Sequence, residues 1–511
     1  AGTLGAHPLP PEGSSTVNLR NVPYKYLVAT GFIFGLFMDL MDLTVVNVAL
    51  PTFGEKFHAG DATLEWVVTG YLLSLAIWIP ASGWIGDRFG TKRTFVFALF
   101  MFTVASAACG LSWNVGSLIT FRLIQGIGGG MMTPVGTAML FRAFPPAERA
   151  RASLILTVPT VIAPGIGPII GGWLIDYVSW RWIFYINVPL GIIGIIFCIL
   201  YLQEHKEEAP GRFDVAGFVF SAAGLALVLF ALSRGPEDGW GSAGVLGSGI
   251  VGIVCFAALV FVELRQPEPM LDLRLFTDRM FRTANIVYFT ASGSLLGVLF
   301  LVPLFLQQLR GFSAIDTGLV LLPSAIGTIV FAQLSGRLYP VVGPKRLLAV
   351  ALTMFAVSSG MLLFVGLNTN IWWVAGIMFV RGIGIAFTFI PLQAATFATI
   401  SSESTGRASS IFNTNRQVGA SFGVAILATV LAERISSHLQ SVPAGASASV
   451  HQAAANHAQL LAFHDAFFAA VILGIVGVAF AFLIHDEDAL STMRQGAGAG
   501  AGAEAVAPAV H

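Results

Sequence analysis

The sequence predicts an all-α integral membrane protein: two six-helix bundles with two further helices inserted between them, fourteen spans in all. Three observations predict it. Charged residues make up 11% of the chain and apolar residues 56%, where soluble domains carry about 25% charge. Apolar runs of bilayer length, about 20 residues for about 30 Å of hydrocarbon, recur along almost the whole chain. Finally, the chain repeats itself. GWIGDRFGTKRTF at 83–95 and GRLYPVVGPKRLL at 336–348 place Gly83, Gly90, Lys92 and Arg93 on Gly336, Gly343, Lys345 and Arg346. Gly126-Ile-Gly128 recurs as Gly382-Ile-Gly384, and Arg151-Ala-Ser153 as Arg407-Ala-Ser409.

In order, the runs lie near 26–49, 64–85, 94–112, 117–140, 153–174, 182–202, 214–233, 243–262, 283–306, 315–335, 347–366, 372–393, 408–431 and 465–484. The first six correspond to the last six under the repeat, so 214–233 and 243–262 are the insertion. The expected organisation is a tail over 1–25, a first bundle over 26–202, a linker with two inserted spans over 203–282, a second bundle over 283–485 and a disordered tail over 486–511. Residues 1–22 lack the basic-then-apolar pattern of a cleaved signal, so the first span is expected to stay as an anchor. Ala/Gly low complexity from Gln495 predicts the disorder. Duplicated bundles with a site at their seam are a common build for secondary transporters.

Basic residues orient the bundle. With the N-terminus inside, nineteen of the 27 fall on cytoplasmic segments and five (Lys56, Arg181, Arg234, Arg310 and Arg434) on outer ones. The positive-inside rule therefore puts both termini in the cytoplasm. The 27 acidic residues cancel the basic ones, so nothing suggests nucleic acid. Cys109, Cys198 and Cys255 lie in apolar stretches and read as buried thiols.

The three remaining cations, Arg122, Arg381 and Arg416, lie within spans, as do the acids Asp39 and Asp42. Ionisable groups at membrane depth usually face a cavity or a partner; a structural ion pair between helices is the plain alternative. Asp39 and Asp42 are three apart and share one helix face. Ionising both there is costly, which leaves a carboxyl able to gain and lose a proton. Arg122 lies at a similar depth, so a movable Arg122 could switch proton affinity. The turn GDRFGTKR sets Asp87, Arg88, Lys92 and Arg93 at the cytoplasmic surface, with glycines permitting a tight turn. It is not a phosphate-binding loop, because Thr91 separates Gly90 from Lys92. PGIGPIIGG at 164–172 combines helix-bending Pro164 and Pro168 with Gly165, Gly167, Gly171 and Gly172, which admit a close neighbour. A stripe of Phe34, Phe37, Met38, Met41, Tyr71 and Phe412, with Arg381, Asn415 and Arg416, would suit a cavity for amphipathic ligands. Helix packing or a lipid-facing surface explains the same stripe.

Taken together, these residues resemble the major facilitator superfamily. GWIGDRFGTKR resembles its signature between spans 2 and 3, RLIQGIGGG at 122–130 its span-4 motif, and span 5 its antiporter motif. MDLTVVNVALP at 41–51 resembles the first-span motif of the fourteen-span drug:proton antiporters, and SWRWIFYINVPLG at 179–191, GFSAIDTGLVLLPSAIG at 311–327 and GRASSIFNTNRQVGASFGVAI at 406–426 are similar to stretches of that family. The likeness covers 26–485. It implies that Asp42 is the proton-linked acid, Arg122 the arginine tied to proton movement, and Asp87 with Arg88 a latch. The span-5 glycines and prolines would seal the seam between halves. Some exporters of multivalent cations carry an acid where this chain has Thr69, which speaks against dicationic substrates.

The expected function is therefore proton-driven export of amphipathic drug-like compounds across the cytoplasmic (inner) membrane. The energy source is the proton gradient, with no cofactor and no metal. The expected state is a monomer, with a periplasmic adaptor left open as a partner. The nearer rival keeps the fold and carries a metabolite, siderophore or lipid. An intramembrane enzyme is the remote one, since the spans hold no metal-spaced His/Asp/Glu cluster, and His451, His457 and His464 fall in or beside the expected outer loop 432–464.

Overall fold

The computed structural model describes residues 22–207, 211–440 and 448–493. Among these the chain is helical throughout, with no strand. The helices are α1 (Tyr24–Phe57), α2 (Asp61–Phe89), α3 (Thr91–Gly110), α4 (Val115–Ala143), α5 (Arg149–Tyr177), α6 (Trp182–Tyr185), α7 (Asn187–Tyr201), α8 (Val215–Asp238), α9 (Ala243–Arg265), α10 (Arg279–Leu304), α11 (Ala314–Val342), α12 (Pro344–Leu362), α13 (Ile371–Thr396), α14 (Thr405–Gln440), α15 (Ala448–Ala481) and α16 (Leu490–Met493). The two tails (1–21 and 494–511), the segment 441–447 and the side chains of Pro164, Gly165, Pro168 and His451 lie outside the described residues.

Among the described residues twelve helices, counting α6 and α7 as one, are long and apolar enough to cross a membrane. α4 and α5 are not among them. In α4, Arg122, Gln125 and a run of glycines dilute the apolar content; α5 is only partly described. The helices bury polar side chains such as Asp42, Arg122 and Gln125 among the apolar core and also show large apolar side chains outward. Ile192, Ile196 and Ile199 of α7 are each about half exposed (49%, 53% and 52%), the reverse of a soluble surface.

The sequence repeat reappears in the packing. α2 packs on α4 and α11 on α13; α3 packs on α4 and α12 on α13; α3 packs on α7 and α12 on α15. The two groups meet along α5 with α11 and along α2 with α14. The inserted α8 packs on α9, and its other side lies against both α2 and α14.

Helix ends follow local chemistry. Asn114 and Ser117 cap α4 reciprocally, and the side chains of Asp214, Asp278 and Ser313 accept from first-turn amides of α8, α10 and α11. Gly90 (φ 100°) and Gly343 (φ 86°) end α2 and α11 in a backbone region that other residues rarely adopt.

The expected outer loop 432–464 is not a loop over its described parts. α14 runs on to Gln440 and α15 starts at Ala448, and Asp465 joins the two helices through His438 at 2.9 Å and Arg434 at 3.5 Å. Polar composition hid helices that project past the apolar runs.

Candidate functional site

α1 and α4 bring the intramembrane charges together. Asp42 forms an ion pair with Arg122 through Oδ2 and Arg122 Nη1, and both side chains are fully buried. Arg122 Nη1 also donates to Gln125 Oε1 (2.8 Å), and Nε to the Val67 carbonyl (3.0 Å). Gln125 Nε2 and Asn187 Nδ2 donate to Asp42 Oδ1 at 3.1 and 3.4 Å, and Asn187 Nδ2 also donates to Ser106 Oγ (3.1 Å). Arg122 Nη2 and Asn187 Oδ1 are buried without partners among the described residues. The pair is thus held by neutral amides that can exchange partners.

Asp39 is a separate branch of this network. Its carboxylate accepts from the Tyr71 hydroxyl at Oδ1 and from Thr133 Oγ1 (3.3 Å) at Oδ2. The Tyr71 ring lies 4.0 Å from the Arg122 guanidinium carbon, so it links the two acids through a cation–π contact. Arg416 of α14 is within electrostatic reach of Asp39, and its Nε is buried without a partner among the described residues. Asp42 therefore answers to its own half, and Asp39 faces the other.

The cavity stripe is divided. Phe412 stacks on Tyr288 at 4.1 Å and meets Phe397 at 5.5 Å, while Phe397 stacks on Phe141 of α4 at 4.5 Å. These rings bridge the seam. By contrast Phe34 packs on Phe197 of α7, Met38 and Met41 are completely buried in apolar clusters, and Phe37 packs beside Met41's cluster. For these four the helical spacing reflects core packing. Asn415 donates to the Asn285 carbonyl of α10 (2.7 Å). Arg381 is buried in the second group, donating to the Ser294 carbonyl (2.5 Å) and to Ser358 and Ser359 hydroxyls (3.4 and 3.3 Å). It holds the repeat position of Gln125.

The contacts of Asp87 centre on a residue that the charge count had assigned to a loop. Arg142, in the last turn of α4, donates through Nη2 to Asp87 (3.0 Å) and Glu207 (3.3 Å), and through Nε to the Ser402 carbonyl beyond the seam (3.1 Å). Asp87 also lies against Gly406 in the first turn of α14, where a helix N-terminus favours negative charge. Arg88 is exposed and contributes no such contact. Gly83 lets α2 touch α14: its amide donates to Ser410 Oγ (3.0 Å), and a methyl there would meet the Gly406 carbonyl at 2.8 Å. Lys92 and Arg93 donate their amides to Glu204 (3.0 and 3.2 Å), which follows α7. Lys345 does the same to Asp486 (2.9 Å), which follows α15.

Gly167 and Gly171 of α5 face α1. A methyl on Gly167 would meet Thr44, and one on Gly171 would meet Val45 at 3.1 Å, so both seat α5 on α1; Gly172 has nothing within 4 Å. The contact with α11 uses the opposite face of α5, where Leu154 and Ile169 approach Gly336 and Gly318.

Residues 32–424 match the profile of the Major Facilitator Superfamily. The chain belongs to that superfamily. Among similar members, a multidrug resistance protein B homologue of Mycobacterium tuberculosis is 32% identical over 434 residues, covering 83% of this chain and 80% of the relative. A multidrug transporter of Bacillus subtilis is 32% identical over 437 residues (84% and 81%). An uncharacterised MFS-type transporter of B. subtilis is 31% identical over 408 residues (80% and 77%). The crystal structure of a human organic anion transporter shares the fold at TM-score 0.64 and 15% identity, covering 90% of this chain and all of that one. This superfamily member is thus a multi-pass membrane transporter rather than an enzyme.

Proposed function

We infer that the chain is a proton-coupled antiporter that exports amphipathic drug-like compounds by alternating access. In this reading it is a monomer in the cytoplasmic membrane, with its basic face cytoplasmic. It crosses the bilayer fourteen times, since α4 and α5, at 29 residues each, reach about 43 Å. The two packing groups and the inserted pair then act as the first bundle, second bundle and linker.

One observation carries the reading: the buried Asp42–Arg122 pair, whose other partners include Gln125, Asn187 and the Val67 carbonyl. A proton on Asp42 cancels the charge that holds Arg122. The guanidinium would keep Gln125, the Val67 carbonyl and the Tyr71 face, and Tyr71 would pass the change to Asp39 and the seam. Loading of the proton is thereby tied to the half-to-half interface. The names of the relatives and the bridging aromatic rings support amphipathic cargo.

The test is dye transport by purified protein in liposomes under an imposed pH gradient. Wild type should move the dye uphill. Asp42→Asn should lose uphill transport while retaining dye binding, Arg122→Lys should be poorly tolerated for want of the planar fork, and Asp39→Asn should be milder. Uphill pumping by Asp42→Asn at the wild-type rate removes Asp42 from coupling.

A further inference from the structure

The inserted hairpin carries two acids that the transport reading does not use. Asp214, which precedes α8, accepts the Gly217 amide at Oδ1 (2.8 Å). Glu263, in the last turn of α9, accepts the Leu271 amide at Oε1 (3.1 Å). Both are more than nine-tenths buried, at 6% and 1% exposure. A methyl on Gly217 would lie 2.5 Å from Asp214 Oδ2 and 2.6 Å from Glu263 Oε1. Those two oxygens are therefore separated by at most the sum of these distances, and only a glycine permits the approach.

A second observation points to a ligand. Asp214 Oδ2 and Glu263 Oε2 are both buried without a hydrogen-bond partner, and neither carboxyl has an ion-pair partner within 4.0 Å among the described residues. Two ionised carboxylates this close, out of water, face mutual repulsion and an uncompensated loss of hydration. A single proton relieves both costs, because the net charge falls to minus one and the protonated acid can turn its hydroxyl toward its neighbour.

We propose that Asp214 and Glu263 form a proton-binding pair that holds one proton between them. The charged groups around it come from two elements. Asp272 lies on the linker after α9, and Arg407 lies on α14. Arg407 is also within electrostatic reach of Asp87 on α2, the partner of Arg142. Glu268, on the same linker as Asp272, is occupied by the Arg212 amide at 3.0 Å. When the proton leaves, the pair gains a negative charge that competes with Asp87 for Arg407. The protonation state of the hairpin thereby biases the latch. This last consequence rests on the transport reading; the pair itself does not.

The amide variants Asp214→Asn and Glu263→Gln retain the oxygen that accepts each backbone amide, so both preserve the local fold. Infrared titration of the protein in liposomes reads the pair directly. Wild type should show a protonated-carboxyl stretch that appears and vanishes reversibly with pH, and each single variant should lose it. Transport should also lose part of its dependence on the pH of the basic-face medium in each variant. Superimposable titration spectra for wild type and Glu263→Gln would overturn the proposal. So would a wild-type band that titrates only after Mg²⁺ is removed, since the ligand would then be a cation. A flattened transport profile without the infrared loss would also refute the pair. The infrared loss with an unchanged profile would refute only the link to the latch.

Discussion

Gly83→Ala tests whether the contact between α2 and α14 holds the basic end shut. The added methyl would lie 2.7 Å from Ser410 Oγ and 2.8 Å from the Gly406 carbonyl oxygen. Ser410 can rotate away. The Gly406 carbonyl belongs to the first turn of α14 and cannot, so the helices must part. Overpacking of this kind costs about 1–3 kcal/mol, equivalent to about a 5- to 150-fold change in an equilibrium constant. The penalty applies only where the helices touch, so it favours any arrangement in which the seam is open at this end. Spin labels at Arg88→Cys and Glu403→Cys, both exposed and one on each side of the seam, would report it by pulsed electron resonance in nanodiscs, with half-buried Cys255 replaced by Ser. The ratio of long- to short-distance populations should rise by that factor in Gly83→Ala. Gly172→Ala, with nothing within 4 Å of its methyl, is the control. An unchanged distance distribution in Gly83→Ala, or an equal shift in the control, refutes the reasoning.

Other outcomes follow from the same geometry. Arg142→Gln should lower the melting temperature in detergent by an amount equivalent to about 3–5 kcal/mol, since it leaves buried Asp87 without its cation; Arg88→Gln should be silent in the same scan. Gly90→Ala and Gly343→Ala should each cost about 1–3 kcal/mol for their backbone conformation, measured by denaturation in micelles. Asp488, outside the spans, is held below the ordinary carboxylate range by hydrogen bonds from Arg279 (2.8 Å). A depressed carboxylate stabilises at neutral pH and loses that contribution as the pH falls through its lowered value. Hydrogen exchange in 486–493 should therefore quicken below the ordinary carboxylate range, and Arg279→Gln should exchange quickly at neutral pH as well.

The features legible in the sequence were those with a cost or a repeat. Asp42 and Arg122 stood out because charge at membrane depth is expensive, and they do pair. Gly90 and Gly343 stood out because the turn recurs, and both take positive φ. Neutral partners gave no such signal: Gln125 and Asn187 are unremarkable letters until a helix crossing sets them beside Asp42. Arg142, Glu204 and Asp486 were hidden among ordinary interfacial charges, although the position of an acid just past the last helix of each repeat could have flagged the latter two. Met38 and Met41 misled because a cavity wall and a helix core share one period. Gly167 and Gly171 announced a close neighbour without naming it, and the neighbour is α1.

The insertion makes the two flanks of the seam unequal. On one flank α5 meets α11 directly. On the other, α8 is wedged against α2 and α14, with Leu225 and Leu229 packed on Ala76 and Trp240 donating to Thr429 at 2.9 Å. α9 then lies outside α8 as a shield that buries little of its own surface. A greasy molecule drifting sideways through the bilayer thus meets a roofed wall on one side and a bare two-helix joint on the other. If such molecules enter from the lipid, they have one door.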